Sequence, residues 1–226
     1  MISENLKKIE EKIAETCAKC GRNRSEISLI AVSKTQPGDI IFEALKAGLK
    51  NLGENKAQEL RDKSELIWGD FRWHFIGHLQ TNKVKYVIKA ADFIHSLDSI
   101  NLADEVNRKA EQIGKIQNVL LEIKTSDEAT KFGLQSEEEI FEIAEFCKKC
   151  SNLNLIGLMT MATYTEDKSI VRNCFIKLRE IKERINKHGF GLTDLSMGMT
   201  NDYDVAIEEG ATMLRIGTAI FGEKNY

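Results

Sequence analysis

A lysine follows a short apolar run, where its amine could act as a nucleophile. Residues 29–32 are aliphatic and include the β-branched Ile30 and Val32, which is typical of a strand buried on both faces, and Pro37 and Gly38 end the element soon after Lys34. A rigid strand end in low-dielectric surroundings favours the neutral amine. These surroundings would suit a Schiff-base lysine and make Lys34 a candidate for one, whereas a lysine that extends from a strand end into solvent is the commoner outcome, and these residues alone favour it.

Two later segments combine glycines with hydroxyl side chains and could bind an anion. Gly198 and Thr200 lie in one, and Gly217 and Thr218 lie in the other. Glycine allows close approach of backbone N–H groups, and a helix starting near Asn201 would add its N-terminal dipole. Turn formation alone is the alternative. With a lysine on the same rim, the pattern favours a phosphorylated aldehyde, and pyridoxal 5′-phosphate (PLP) would satisfy both ends.

Arg215 lies between the two predicted anion-binding segments and suggests how such a ring would be used. A guanidinium can only donate hydrogen bonds, so facing the pyridine nitrogen it would leave that nitrogen unprotonated. An unprotonated pyridine is a poorer electron sink, and carbanion chemistry would be restrained. Pairing of Arg215 with a carboxylate inside the fold is the alternative.

The elements that must position these residues alternate along the chain. We predict strands at 28–33, 49–52, 72–76, 93–97, 117–124, 153–159, 193–196 and 213–216, and helices at 3–20, 38–47, 55–66, 81–90, 99–113, 136–149, 168–187 and 202–209. Strict alternation predicts a parallel sheet, and eight repeats predict its closure. The expected fold is α/β, a (β/α)8 TIM barrel with one extra N-terminal helix, formed by residues 1–226 as a single domain. Its active sites would gather at the carboxyl ends of the strands. A doubly wound open sheet is the alternative.

Composition limits the partners of the chain. It has 32 basic and 35 acidic residues among 226, with no basic stripe, which argues against nucleic acid as a ligand. The sequence contains no apolar stretch of membrane-spanning length and no signal-peptide pattern, so we expect a cytoplasmic protein with no membrane partner. The five cysteines include two C-x-x-C pairs, Cys17/Cys20 and Cys147/Cys150. Both pairs continue apolar helical stripes, so core filling is favoured over a zinc site.

Six segments in order along the chain resemble the pyridoxal phosphate homeostasis protein family, a stand-alone barrel similar to the N-terminal domain of alanine racemase (fold type III). They are Ala31-Val-Ser-Lys-Thr35, Gly53-Glu-Asn55, Trp73-His-Phe-Ile-Gly-His-Leu-Gln-Thr-Asn-Lys83, Gly157-Leu-Met-Thr-Met-Ala162, Leu195-Ser-Met-Gly-Met-Thr200 and Leu214-Arg-Ile-Gly-Thr-Ala-Ile-Phe-Gly222. The resemblance covers essentially the whole chain. Lys56 stands where the family more often has an aromatic residue, and Thr200 stands where serine is commoner.

The resemblance implies PLP held as an internal aldimine on Lys34. It also implies that Arg215 faces the pyridine nitrogen and that Thr200, Gly217 and Thr218 bind the phosphate. Further residues lining the cofactor are implied at Asn55, His78, Ser196 and Met199.

Three functions remain open from the sequence. The family resemblance implies intracellular PLP homeostasis, in which PLP is held and passed on, with apo forms of PLP enzymes as recipients and no dedicated catalytic residues. An alanine-racemase-type activity needs a second acid or base opposite the lysine. In the related racemases this is a tyrosine, accompanied by an extra domain. Here only Tyr164 could reach the rim, and four residues follow the last motif, so we expect low racemase activity. A cofactor-free Schiff-base aldolase using Lys34 or Lys124 is the third reading.

Two further expectations concern transfer and assembly. A second lysine, Lys83 or Lys124, could assist exchange of the bound aldehyde. His74 and His78 span a strand end and Gly77, which argues against a metal pair, so no metal is expected. A barrel of this kind is expected to be a monomer or a weak dimer.

Overall fold

Strands that follow one another in the chain pair side by side in the computed structural model, which describes residues 1–128 and 131–222. Each strand is parallel to the next, and β8 pairs with β1 to close the ring. The predicted (β/α)8 barrel is therefore confirmed. The strands are β1 Ser28–Val32, β2 Asn51–Glu54, β3 Arg72–Phe75, β4 Phe93–Leu97, β5 Gln117–Glu122, β6 Leu153–Met159, β7 Asp194–Ser196 and β8 Met213–Ile216.

Helices connect the strands on the outside of the barrel. They are α1 Ile2–Lys19, α2 Gly38–Lys46, α3 Ala57–Leu66, α4 Val84–Val87, α5 Ile100–Glu111, α6 Glu137–Lys149, α7 Lys168–Lys187, α8 Tyr203–Glu208 and α9 Thr218–Phe221. The helix predicted at 81–90 is short, because a 3₁₀ turn at Thr81–Lys83 precedes α4. The sequence also did not reveal α9 or a 3₁₀ turn at Arg24–Glu26.

Strand β2 lies two residues further along the chain than predicted. It ends on Glu54, which is fully buried, and a buried carboxylate is unusual in a strand. Ser33 and Lys63 both donate hydrogen bonds to Glu54 Oε1, which offsets part of the cost of burial, whereas Oε2 has no hydrogen-bond partner among the described residues. The hydrophobic pattern alone does not place a glutamate inside a buried strand, so the predicted strand stopped before Glu54.

The core has two layers. A large apolar layer lies between the strands and the helices. A small cluster of Ile30, Leu120, Met159 and Met213 fills the inside of the barrel. Because side chains alternate along a strand, residues two positions further along β5 and β8 point to the same interior. This places Glu122 and Arg215 inside the barrel, nearer the carboxyl ends of the strands.

Helix α1 packs on the outside of the barrel, against the first and the last helices that follow its strands. Its apolar stripe runs from Ile2 through Ile13 to Cys17, and it packs against α8 and α9. Asn5 Nδ2 also donates to the Ile220 carbonyl at 3.1 Å. The core role predicted for the cysteines is confirmed for Cys17 and for Cys147 on α6, whereas Cys20 is exposed and Cys150 is half-buried. Across residues 1–128 and 131–222, no helix has the length and apolar character needed to cross a lipid bilayer.

Candidate functional site

A cavity of about 310 Å³ opens at the carboxyl ends of β1, β6, β7 and β8. This is at the lower end of the range for small-molecule sites, and it lies where barrels of this type place their active sites. Six of the nine predicted cofactor residues line it: Lys34, Met199, Thr200, Arg215, Gly217 and Thr218. The folded chain thus brings together residues that are nearly two hundred positions apart in sequence.

Lys34 reaches this cavity from a turn rather than from the strand itself. β1 ends at Val32, and Lys34 is exposed in the turn that follows. The predicted low-dielectric surroundings of Lys34 are therefore wrong for the ligand-free protein, because the strand stops two residues before the lysine. The Lys34 side chain is exposed to solvent and also lines the cavity.

The peptide around Lys34 is held from β2 and α3. The Lys63 ammonium lies between Glu54 and Glu59, at 2.7 and 2.8 Å from their Oε1 atoms. Burial raises the pKa of Glu54, against the opposing effects of Lys63 and Ser33. The pKa of Glu59 is lowered overall: burial acts to raise it, but hydrogen bonds from Lys63 and Thr35 and the Lys63 charge outweigh burial. Sequence reasoning missed this cluster, although Glu54 stands inside one of the motifs.

Arg215 forms the floor of the cavity. Its side chain is only 4% exposed; Nη1 donates to Ser196 Oγ at 2.6 Å and Nη2 donates to the Thr160 carbonyl at 2.8 Å. Burial lowers the pKa of Arg215 to about 10, opposed by the carboxylates of Asp202 and Glu122. The carboxylate partner considered from the sequence is replaced by two neutral oxygens. The guanidinium therefore keeps its positive charge available to a ligand in the cavity.

Behind Arg215, a chain of hydrogen bonds crosses the barrel. Ser196 Oγ lies 2.9 Å from His95 Nδ1, His95 Nε2 lies 2.9 Å from His74 Nδ1, and His74 Nε2 lies 3.1 Å from Asn51 Oδ1. Burial lowers the pKa of His74 to about 3 and that of His95 well below its usual value, so both rings are neutral.

The hydrogen bonds of this series can then run in only one direction. The Asn51 carbonyl oxygen must accept from His74, so His74 Nδ1 accepts from His95, and the Ser196 hydroxyl donates to His95 Nδ1. Ser196 Oγ in turn accepts from Arg215. The predicted site residue Ser196 therefore lies behind the cavity and orients its arginine.

The loops after β7 and β8 face each other across the far end of the cavity. Their hydroxyls, Thr200 Oγ1 and Thr218 Oγ1, are 3.3 Å apart. Gly198 has a φ of +94°, and a Cβ there would lie 2.6 Å from the Ala206 Cβ, so the tight loop requires glycine. Two hydroxyl donors, a buried cation and an amine around one cavity fit a phosphorylated aldehyde in size and charge.

Two other predicted cofactor residues, Asn55 and His78, do not line this cavity. Asn55 Oδ1 is buried, with no hydrogen-bond partner within the described ranges. His78 Nδ1 lies 3.5 Å from Asp98 Oδ2, and the ring stacks on Phe132 at a centroid distance of 4.0 Å. A role for these two residues toward a ligand stays a prediction.

The tyrosine and the second lysines considered from the sequence are also placed. Tyr164 lines the cavity, but 86% of it is exposed. Lys83 lies over the Tyr86 ring, and Lys124 lines a separate recess between the β5 loop and α7. Neither lysine lines the cavity of Lys34.

Glu122 is a second group that sequence reasoning missed. It is 3% exposed, and its Oε2 has no hydrogen-bond partner in the part of the chain that the structure describes. Burial raises its pKa to about 7; the Asp98 carboxylate adds to this effect and Arg215 opposes it. Period-two alternation from the interior residue Leu120 could have indicated that Glu122 points inward.

Comparisons with known proteins find similar sequences and a similar fold. The family model described as "Alanine racemase, N-terminal domain" matches residues 5–225. A pyridoxal phosphate homeostasis protein from Aquifex aeolicus is 43% identical over 225 residues, covering 99% of this chain and 98% of its own. PipY from Synechococcus elongatus, solved without PLP, is 30% identical with a TM-score of 0.88, covering 98% of this chain and all of its own. PipY with PLP bound is 31% identical with a TM-score of 0.81, covering 93% of this chain and 100% of its own.

Proposed function

The chain belongs to the pyridoxal phosphate homeostasis protein family, and on that basis we propose that it binds PLP in the cavity at the carboxyl ends of β1, β6, β7 and β8. The observation that carries the proposal is the convergence of an amine, a buried cation and two hydroxyls on that one cavity. The PLP-bound structure of PipY, a relative at 31% identity, supports the same ligand.

The finer proposal is that Lys34 holds PLP covalently. Lys34 would supply the amine that condenses with the aldehyde of PLP, with loss of one water. Thr200 and Thr218 would donate their hydroxyls to the phosphate, and Gly217 would allow the backbone to approach it. Arg215 could only donate to the pyridine nitrogen, so it would keep that nitrogen unprotonated and restrain carbanion chemistry.

Homeostasis then consists of holding the reactive aldehyde and releasing it to apo forms of PLP enzymes. The exposure of Lys34 supports this role, because an amine from solvent could reach the bound aldehyde and take the place of the lysine. Low racemase activity is a second candidate, since Tyr164 lines the same cavity. Replacing Tyr164 by Phe would abolish that activity and leave PLP binding intact.

The test is covalent trapping. PLP is added to the purified protein, borohydride reduces the adduct, and peptide mass mapping locates the pyridoxyl group. We expect it on the Lys34 peptide and expect its loss in Lys34→Ala, whereas Lys46→Ala, an exposed lysine on α2, serves as the matched control. A colourless wild-type protein that forms no adduct would exclude the proposal. Release is tested by adding an apo-PLP enzyme to the loaded protein, and we expect activation faster than with the same concentration of free PLP.

A further inference from the structure

We propose that Lys63 is a positioning residue for Lys34. Together with Glu54 and Glu59, which we name the α3 clamp, it fixes the peptide on both sides of Lys34 so that the amine meets the aldehyde in one orientation. The inference rests on the proposed function, because it concerns the same lysine. It assigns a role to three charged residues outside the cavity itself.

The Lys63 ammonium is fully used by the clamp. It donates to the Ser33 carbonyl at 2.7 Å, to Glu54 Oε1 at 2.7 Å and to Glu59 Oε1 at 2.8 Å, and its side chain is only 12% exposed. An ammonium has three donors, and all three have acceptors. One of these acceptors is the backbone oxygen of the residue just before Lys34.

The two carboxylates extend this hold to both neighbours of Lys34. Ser33 Oγ donates to Glu54 Oε1 at 2.6 Å, and the Thr35 N–H donates to Glu59 Oε1 at 2.5 Å. Residues i−1 and i+1 of the lysine are therefore bonded to two carboxylates that share one ammonium. The side chain of Lys34 takes no part in this network and remains exposed in the cavity.

The backbone at Thr35 indicates that the clamp imposes a conformation. Thr35 has a φ of +62°, and it is the only non-glycine residue with a positive φ among the described residues. The left-handed region is unfavourable for a β-branched side chain, so the surroundings must hold it there. Strain of this kind persists where neighbouring bonds over-determine the backbone.

A purely structural role does not account for the charges. Buried ion pairs contribute little net stability because desolvation offsets their attraction, and apolar side chains could join α3 to β1 equally well. Charged groups can also fix individual backbone atoms, here the Ser33 oxygen and the Thr35 N–H. Both atoms flank the lysine that the proposed chemistry requires.

The test compares two ligands on Lys63→Met. PLP reports the rate at which the borohydride-reducible adduct forms, and pyridoxine 5′-phosphate, which has the ring and the phosphate but no aldehyde, reports binding alone. We expect adduct formation to slow by about tenfold or more, since orientation of reacting groups carries such factors. The affinity for pyridoxine 5′-phosphate should stay within about twofold of the wild-type value, because the clamp does not line the cavity. Lys7→Met, on the exposed face of α1, is the matched control and should change neither quantity.

Glu59 supplies a milder variant if Lys63→Met does not fold. Glu59→Gln retains an oxygen that can accept from Thr35 and should keep most of the rate, whereas Glu59→Ala should lose it. Equal adduct rates in the wild type and the clamp variants would overturn the clamp and leave the proposed function standing. A parallel loss of both readouts would overturn it too, by assigning these residues to general stability. A wild-type protein that forms no adduct would overturn both proposals.

Discussion

Replacing Glu122 by Gln should make the ligand-free protein more resistant to unfolding at alkaline pH. The Glu122 carboxyl is buried inside the barrel near Asp98, and its pKa rises from 4.5 to about 7 on folding. The folded state therefore binds this proton more tightly than the unfolded state does. Stability from this group is fully present below pH 4.5 and is lost as the pH rises through about 7. The amide of the variant would keep the shape of the protonated acid and would not titrate.

The magnitude follows from the pKa shift. A shift of one pKa unit corresponds to about 1.4 kcal/mol, so moving from 4.5 to about 7 costs the ionised form roughly 3 kcal/mol. Between pH 5 and pH 8, the wild type should lose roughly 2–3 kcal/mol of stability from this group alone. Replacing a carboxyl oxygen of Glu122 by an amide nitrogen also changes stability, but this change is the same at both pH values and cancels when the two pH values are compared.

Urea unfolding of wild type and Glu122→Gln at pH 5 and pH 8 measures the effect. The difference in unfolding free energy between the two proteins should grow toward pH 8 by roughly 2–3 kcal/mol in favour of the variant. Glu111→Gln, an exposed position at the end of α5, should give the same difference at both pH values. Asp98→Asn should reduce the wild-type pH dependence, because the Asp98 carboxylate raises the pKa of Glu122. An unchanged difference between the two pH values would refute the reasoning.

Three further substitutions test the fold and the site by thermal or urea unfolding. Gly157→Ala should destabilise the protein by more than about 2 kcal/mol, because the new Cβ would lie 2.1 Å from a carbonyl oxygen of β7. Gly38→Ala is its control and should be nearly neutral, because a Cβ at Gly38 would have no atom within 4 Å. Equal effects of the two substitutions would contradict the packing. Ser196→Ala should cost about 1–3 kcal/mol because it leaves Arg215 with an unpaired buried donor, and a neutral result would argue against the hydrogen bond. Thr35→Gly should keep or raise the stability of the protein, because glycine adopts a positive φ without strain, but it should slow the trapping of PLP. A stable variant with unchanged trapping would show that a rigid backbone at residue 35 is unimportant for the reaction of Lys34.

The barrel could be predicted because its signal is repeated. Eight apolar runs alternate with helical runs, and an error of two residues at β2 does not alter their order. The gathering of Lys34, Thr200 and Arg215 followed from the rule that parallel strands present their carboxyl ends on one side. Neither inference required knowledge of side-chain geometry.

The rest depended on contacts that spacing does not encode. His74 and His95 lie on the paired strands β3 and β4, and the pairing of these strands brings His74 Nδ1 within 2.9 Å of His95 Nε2. In the sequence, Glu54 resembles a loop residue. The fold brings Lys63, nine positions later on α3, within hydrogen-bond distance of it. The exposure of Lys34 depends on where the strand ends, and element ends are the least reliable part of any sequence reading.

Closure of the barrel by β1 and β8 has a consequence during synthesis. Strand β1 ends at Val32 and its partner β8 begins at Met213, so about 180 residues must be translated after β1 before its second edge can pair. At 5–20 residues per second this delay is roughly 10–40 s. Throughout it, the edge of β1 in a nascent barrel offers unpaired backbone groups to any neighbouring strand. Chains on one polysome should therefore be most prone to associate with each other just before β8 emerges from the ribosome.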